Sequence, residues 1–426
     1  MKIKLYNTLS KSKQEFVPLE KDTIKMYVCG PTVYDYIHIG NARPFIMFDV
    51  LRRFFQKVGF KVTYVMNLTD VDDKIIDKAK AEGVSTEEIT AKYIQAFFED
   101  IEALGVRKAD IYPKATEHVS EMIDLIKKLF NAGLAYQADG DVFYDVSKFK
   151  DYGKLSGKKL DDLMAGARIA VDERKHNPLD FVLWKAKKPG EPYWESPWGE
   201  GRPGWHVECS AMSMKYLGES FDIHAGGVDL IFPHHENEIA QSEGATGKTF
   251  VRYWLHNGFL KIEGEKMAKS LGNILTVREI LKRYPAQVIR LFFLQKHYRS
   301  PIDFTQKGLD AARSAIERLN TFMEHLHRIV ESEEIQEKAF KKENLSKESR
   351  EFLAKVEGLK NELYESLADD FNTPAAIAKL FDLIRESNKI LSKSELNLED
   401  KWLLFIVAKN LKEFDKIFGL FSIKKT

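Results

Sequence analysis

The stretch Val28–Arg43, VCGPTVYDYIHIGNAR, organises the first half of this 426-residue chain. Met26–Cys29 predicts the end of an apolar strand, which Gly30 and Pro31 interrupt. The apolar positions that follow recur at the spacing of one buried helix face: Phe45, Phe48, Leu51, Phe55 and Val58. Pro44 suits the first turn of that helix. The loop that contains His38 and Gly40 is therefore expected to meet a helix N-terminus, where free backbone N–H groups attract phosphates.

A second strand is expected at Lys61–Met66, because its apolar residues alternate. The order strand, loop, helix, strand predicts a doubly wound parallel α/β sheet, whose ligands bind at the carboxyl ends of the strands. The acidic residues Asp70, Asp72 and Asp73 follow this strand. They could hold a metal, but acids stabilised by a helix N-terminus explain them better.

The clear alternation of strands and helices is lost between residues 148 and 200, which predicts an insertion within the sheet domain. Beyond residue 309 a single apolar stripe with helical spacing predicts an all-α helical bundle. The expected order is a first half of the catalytic domain, an insertion, a second half, a connecting region and the bundle. Their bounds are 1–114, 115–200, 201–258, 259–310 and 311–426.

Composition restricts the classes of function. The 65 basic and 64 acidic side chains nearly cancel, which argues against a globally cationic nucleic-acid binder. The chain shows no basic-then-apolar leader and no long apolar run, so we expect a cytoplasmic protein with no membrane partner. Its two cysteines, Cys29 and Cys209, are not expected to form a disulfide in that compartment.

Several other sequence motifs occur along the chain after the opening stretch. Residues 38–41 read HIGN, and residues 266–270 read KMAKS. The longer motifs are GRPGWHVECSAMS at 201–213, FDIHAGGVDLIFPHHENEIAQ at 221–241 and DDFNTPAA at 369–376. The two short motifs resemble the HIGH and KMSKS signatures of class I aminoacyl-tRNA synthetases, and the longer ones resemble the cysteinyl-tRNA synthetases. The resemblance implies a Rossmann-like sheet interrupted by a connective insertion.

The resemblance also implies which residues handle ATP. The expected catalytic residues are His38, Asn41, Lys266 and Lys269. The expected ATP-binding residues are His38, Gly40, Asn41, Gly226, Asp229, Lys266 and Lys269. Two positions depart from the family signatures: Asn41 replaces the second histidine of HIGH, and Ala268 replaces the serine of KMSKS. Neither change removes a lysine.

A metal site is the second implication. His234 and Glu238 are four residues apart on a predicted helix and would share one face. The resemblance joins them to Cys29 and Cys209 as the ligands of one zinc ion per chain, with His235 as the competing histidine. Zinc would separate the substrate thiol from the hydroxyl of serine. Four protein ligands are also typical of a purely structural zinc site, which is the alternative.

The resemblance implies ATP- and Mg²⁺-dependent activation of L-cysteine and its transfer to tRNA(Cys) by a monomer. The residues expected near the substrate are Thr69, Trp205 and His224. Two other functions remain open: a paralogous ligase that joins cysteine to an amino-sugar, and a non-catalytic nucleotide- or RNA-binding module. Relatives commonly continue past the bundle with an anticodon-reading module. For a chain ending at Thr426 we therefore expect a weaker dependence on the anticodon.

Overall fold

The computed structural model describes residues 1–166, 172–266, 272, 274–331 and 340–421. The strands are β1 Lys4–Asn7, β2 Ser12–Glu15, β3 Thr23–Val28, β4 Lys61–Met66, β5 Ala135–Ala138, β6 Asp141–Tyr144, β7 Phe181–Ala186, β8 Gly201–Pro203, β9 Phe221–Gly227, β10 Val251–Asn257, β11 Leu260–Ile262, β12 Glu265–Lys266 and β13 Ile302–Phe304. The helices are α1 Ile39–Lys57, α2 Asp73–Glu82, α3 Thr86–Ala103, α4 Val119–Asn131, α5 Leu160–Gly166, α6 Trp205–Leu217, α7 Glu236–Thr246, α8 Val277–Leu281, α9 Ala286–Leu294, α10 Gln306–Glu331, α11 Lys347–Ala368, α12 Thr373–Leu391 and α13 Leu398–Phe418.

The central sheet has four parallel strands in the order β10-β9-β3-β4. Strand β4 lies on one side of β3. Strand β9, which begins nearly two hundred residues after the end of β3, lies on the other side. The carboxyl ends of β3 and β9 therefore form the switch point of the sheet, where ligands of such folds bind. Val28 pairs with Ala225, so Cys29 and Gly226 reach this edge together. The predicted doubly wound fold is confirmed.

The start of α1 differs from the sequence prediction. His38 is the N-cap, and its Nδ1 accepts a hydrogen bond of 3.2 Å from the backbone N–H of Asn41. The side-chain oxygen of Asn41 accepts in return from the N–H of His38, also at 3.2 Å. This reciprocal cap satisfies two N–H groups and begins the helix at Ile39. The placement of Pro44 in the first turn was wrong, because the cap begins the helix five residues before it.

The inserted segment forms its own antiparallel sheet in the order β5-β6-β7-β8. Tyr144, Trp184 and Val207 belong to one buried cluster, which joins this sheet to α6. Within the insertion, α4 begins at Val119, after a separate 3₁₀ turn at Ala115–Glu117. The insertion thus packs on the two helices, α6 and α7, that border the switch point. The domain bounds proposed from the sequence stay a prediction.

The helices α10–α13 form the C-terminal bundle, which packs on α1 and α9 through one continuous core. Of the described helices, none combines the length and the apolar character that crossing a membrane would require.

The turn between α11 and α12 fastens this bundle to the sheet domain. The carboxylate of Asp370, 1% exposed, accepts hydrogen bonds from the N–H of Tyr6 at 2.8 Å, the hydroxyl of Tyr298 at 2.8 Å and Nε of Arg299 at 2.7 Å. Asp370 and Phe371 have positive φ angles of 55° and 50°, which non-glycine residues rarely adopt. Asp370 therefore anchors the turn to two other parts of the chain.

The variant Asp370→Asn is expected to destabilise the protein by about 3 kcal/mol. It removes the buried carboxylate that pairs with the Arg299 guanidinium. It also places an amide N–H₂ group, which is a donor, against the donor groups that now bind the carboxylate. The neighbouring Asp369→Asn is a matched control, since the Asp369 side chain is 56% exposed and its ion pair among the described residues is with Lys13 at the surface. Urea unfolding of both variants checks the prediction. Equal effects of the two substitutions would contradict it.

Candidate active site and metal centre

Four side chains from separate parts of the sequence meet at the switch point. Cys29 follows β3, Cys209 lies on α6, His234 lies in the turn before α7, and Glu238 lies on α7. One ligand atom from each lies within 4.8 Å of the others. His234 was expected on the helix, but α7 begins only at Glu236, after the irregular turn Ile231–His235. Its Nε2 is nevertheless 3.0 Å from Oε1 of Glu238.

The charges in this cluster depend on one another. Burial favours a neutral Glu238, but His224 and His234 lower the pKa of that carboxyl to about 2. The hydrogen bond with Cys29 and that with His234 lower the pKa of Cys209 to about 6 despite burial. Burial and the neighbouring Cys209 raise the pKa of Cys29 well above its usual value. The pKa of His234 rises to about 10, because its bonds to Cys209 and Glu238 outweigh burial.

These donors suit a zinc ion. Two sulfurs, one imidazole nitrogen and one carboxylate oxygen are all accepted zinc ligands, and they converge in a buried place. Cys209 and Glu238 favour their ionised forms, which are the forms that bind metal. Both cysteines are free thiols, as predicted.

His235 is closer to the site than the sequence suggested. Its Nε2 lies 3.2 Å from Sγ of Cys29, and Cys29, His224, His235 and Glu238 form a second, overlapping set of possible ligands. On its other side, Nδ1 of His235 is 2.8 Å from Nε2 of His256, whose Nδ1 is 2.7 Å from the hydroxyl of Thr8. His256 was not predicted, because it is a single histidine in the buried strand β10, which carries no motif.

The three residues expected near the substrate surround the cluster in different ways. Trp205 stacks on His234 with ring centroids 4.2 Å apart and is 41% exposed, so one face of its ring is open. His224 is fully buried, and its Nε2 lies 2.7 Å from Oε2 of Glu238. Thr69 follows β4 and accepts a 3.2 Å hydrogen bond from Asn67. Of these three residues Trp205 is the exposed one, and His224 instead orients Glu238.

Several of the expected ATP-binding residues belong to the part of the chain that the structure describes. These residues lie at the same carboxyl edge of the central sheet. His38 caps α1, and Gly226 stands near the end of β9, where an added Cβ would lie 2.9 Å from Leu230 and 3.1 Å from His235. Asp229 lies in the short turn that follows β9. Glycine at position 226 therefore lets the backbone lie close to Leu230 and His235. A side chain at this position would collide with them.

The described residues that follow the KMAKS motif contact the start of α1. The N–H of Ile39 donates to the carbonyl of Leu275 at 2.9 Å, and the N–H of Val277 donates to the carbonyl of Ile37 at 3.0 Å. The segment after the KMAKS motif thus lies beside the cap of α1. Lys266 ends β12, but its side chain and the whole of Lys269 lie outside the described residues.

Comparison with known proteins identifies the class. Residues 15–314 match the family described as tRNA synthetases class I (C) catalytic domain, and residues 362–422 match the DALR domain. A Mycobacterium tuberculosis methionyl-tRNA synthetase in complex with methionyl-adenylate shares the fold at TM-score 0.71 and 17% identity, over 93% of this chain and 92% of that one. The fold and the matched catalytic domain define a class I aminoacyl-tRNA synthetase.

Sequence relatives narrow the class to one family. A cysteine–tRNA ligase of Carboxydothermus hydrogenoformans is 52% identical over 98% of this chain and 87% of the relative. A cysteine–tRNA ligase of Thermococcus onnurineus is 51% identical over 99% of this chain and 87% of the relative. The chain belongs to the cysteine–tRNA ligase family, so the resemblance seen in the sequence is confirmed.

Proposed function

We propose that this protein activates L-cysteine with ATP and transfers the cysteinyl group to tRNA(Cys). The observation that carries the proposal is the convergence of Cys29, Cys209, His234 and Glu238 at the switch point, beside the capped start of α1. Activation of cysteine by ATP requires a thiol-binding site next to a phosphate-binding helix end.

Selection of cysteine rests on the four donors. The competing amino acid, serine, has nearly the same shape, and an apolar pocket rejects such analogues by only about 10–200-fold. When bound by these residues, zinc supplies a soft Lewis acid that prefers a thiolate to a hydroxyl. His224 orients Glu238, His235 contacts Cys29, and Trp205 stacks on His234. These contacts hold the ligand geometry before the substrate arrives.

In the activation step, a carboxylate oxygen of cysteine attacks the α-phosphorus of ATP, a new P–O bond forms, and pyrophosphate leaves with the electrons of the broken bond. Negative charge develops on the phosphoryl oxygens, and catalysis requires positioned donors and cations. We assign these roles to the N-terminus of α1, with His38 and Asn41, and to Lys266 and Lys269. The oxygen of Asn41 is used in the cap, so its amide N–H₂ is the group free to donate.

Two assays test the function. Cysteine-dependent exchange of pyrophosphate into ATP measures activation, and transfer of labelled cysteine to tRNA(Cys) or to an amino-sugar identifies the acceptor. We expect exchange with cysteine, transfer to tRNA alone, and one zinc per chain by elemental analysis. Transfer to the amino-sugar would favour the paralogous ligase. Absence of exchange would favour the non-catalytic binding module. Sedimentation in solution checks the monomer, which stays a prediction.

A further inference from the structure

An arginine–tyrosine pair lies beside the start of α1. Tyr36 is 38% exposed and precedes His38, the N-cap of α1, by two residues. The guanidinium carbon of Arg278, on α8, lies over the Tyr36 ring at 4.7 Å from its centre. A cation over an aromatic ring is attracted to it, although the contact is modest where water reaches it. Because more than a third of Tyr36 is exposed, burial alone does not hold its ring in place.

The guanidinium of Arg278 is itself held by α3. Its Nε lies 2.8 Å from Oδ1 of Asp100, whose side chain is 4% exposed. Its Nη2 donates to Oε2 of Glu99 at 2.6 Å and to the carbonyl of Ala96 at 3.3 Å. The planar fork of an arginine can contact several acceptors and stack on a ring at once, whereas a lysine ammonium is a single point charge. The contacts with α3 therefore fix the plane that lies over Tyr36.

The Tyr36 ring also contacts α3 directly. Its centroid lies 5.3 Å from that of Tyr93, and the two ring planes meet at 83°, which is a favourable edge-to-face arrangement. The ring is thus held between Arg278 of α8 and Tyr93 of α3. Tyr36, Tyr93, Asp100 and Arg278 together form the Tyr36 clamp.

The clamp lies next to the backbone hydrogen bonds that join residues 37–39 to residues 275–277. Ile37 is buried, whereas Tyr36 is exposed, so the clamp holds the loop at the point where it leaves the core. His38 follows within two residues. The position of the α1 cap therefore depends on the backbone bonds on one side and on the clamp on the other.

We propose that Arg278 is a positioning residue for adenylate formation, which acts by holding Tyr36 and through it the loop that carries His38. The inference rests on the proposed function. The start of α1 must meet the phosphoryl oxygens in one geometry, and a misplacement of about 1 Å can slow a reaction about 100-fold. No clamp residue lies on α6 or α7, which hold the metal donors Cys209 and Glu238. The clamp therefore affects the rate of the reaction with ATP and leaves zinc and cysteine binding unchanged.

Variants of the exposed Tyr36 test the clamp without removing a buried group. Tyr36→Phe keeps the ring and should form the adenylate at the wild-type rate, whereas Tyr36→Ala should form it about 10-fold more slowly. The rate is measured in a single turnover of the zinc-loaded protein at saturating ATP and cysteine. Calorimetry with cysteine and elemental analysis for zinc should give wild-type values for both variants. Equal rates for the two variants, or a loss of cysteine affinity as large as the loss in rate, would overturn the inference.

A double-mutant cycle tests whether Arg278 acts through Tyr36. Arg278→Lys keeps a cation beside Asp100 but removes the plane over the ring, and it should also slow adenylate formation about 10-fold. Tyr36→Ala combined with Arg278→Lys should be no slower than the slower single variant, because both changes remove the same contact. Multiplied losses, or a wild-type rate in Arg278→Lys, would overturn the inference. If Arg278→Lys does not fold, the comparison of Tyr36→Phe with Tyr36→Ala still decides.

Arg313→Lys is the matched control. The guanidinium carbon of Arg313, on α10, lies 4.3 Å from the centre of the Tyr284 ring, so the variant alters an arginine–tyrosine contact outside the clamp. It should form the adenylate at the wild-type rate, and a 10-fold loss here would overturn the inference. The proposed function fails independently, through absence of cysteine-dependent pyrophosphate exchange in the wild type.

Discussion

Serine at position 209 will remove zinc and cysteine selectivity together. Cys209 supplies a buried sulfur within 4.8 Å of the other three ligand atoms, and its hydroxyl replacement is a poor zinc ligand. Loss of an outer-shell partner typically weakens metal binding about 10–100-fold, and loss of a ligand should cost more. We therefore expect more than about a 100-fold fall in zinc affinity and a similar fall in the preference for cysteine over serine.

The measurement is zinc per chain by elemental analysis, alongside pyrophosphate exchange with cysteine and with serine. Ala211→Ser is the control, because it introduces the same side chain at a buried position two residues along α6 and should retain the metal. Full zinc occupancy and unchanged selectivity in Cys209→Ser would contradict the assigned ligand set. Loss of folding together with loss of zinc in Cys209→Ser would point to the structural zinc alternative.

Alanine at position 269 is expected to slow adenylate formation about 10²–10³-fold and to leave cysteine binding nearly unchanged. The proposed partner of the Lys269 ammonium is charge that develops on the phosphoryl oxygens in the transition state, so its loss affects the rate and not ground-state binding of the amino acid. Single-turnover formation of the adenylate, together with calorimetric binding of cysteine, measures the two effects separately.

Lys261→Ala is the matched control, since Lys261 is an exposed lysine of the neighbouring β11 that no motif includes. It should leave the rate of adenylate formation within a small factor of the wild type. The role of Lys269 would be rejected if both alanine variants formed the adenylate equally fast. A loss of cysteine affinity in Lys269→Ala equal to the loss in rate would assign the lysine to ground-state binding instead.

Much of the fold was predictable because its signals are local. Alternation of apolar residues gave β4 at Lys61–Met66, the bounds that the structure has. The apolar stripe of α1 indicated its buried face, but not its start. That start depends on a reciprocal hydrogen bond between His38 and Asn41, which an N-terminal proline preference does not reveal. The pattern of hydrophobic residues therefore predicted the presence of helices and strands better than the residues at which they begin and end.

The site was less accessible to sequence reasoning. No spacing rule joins Cys29 to Cys209, and only the family resemblance placed the four ligands together. The contact of His235 with Cys29 depends on the irregular turn before α7, since an extension of the helix would have kept neighbouring histidines on separate faces. Polar contacts between distant segments follow from the fold and not from local pattern.

The pairing of β3 with β9 has a consequence for the order of events during synthesis. Cys29 leaves the ribosome about 180 residues before Cys209, a delay of roughly 10–40 s at typical rates of about 5–20 residues per second. During that time β3 has β4 but not β9, and only one of the four metal donors exists. A metal ion that requires all four donors could therefore bind only after Cys209, His234 and Glu238 have been synthesised. Until β9 has been synthesised, one edge of β3 lacks the strand that pairs with it in the folded protein.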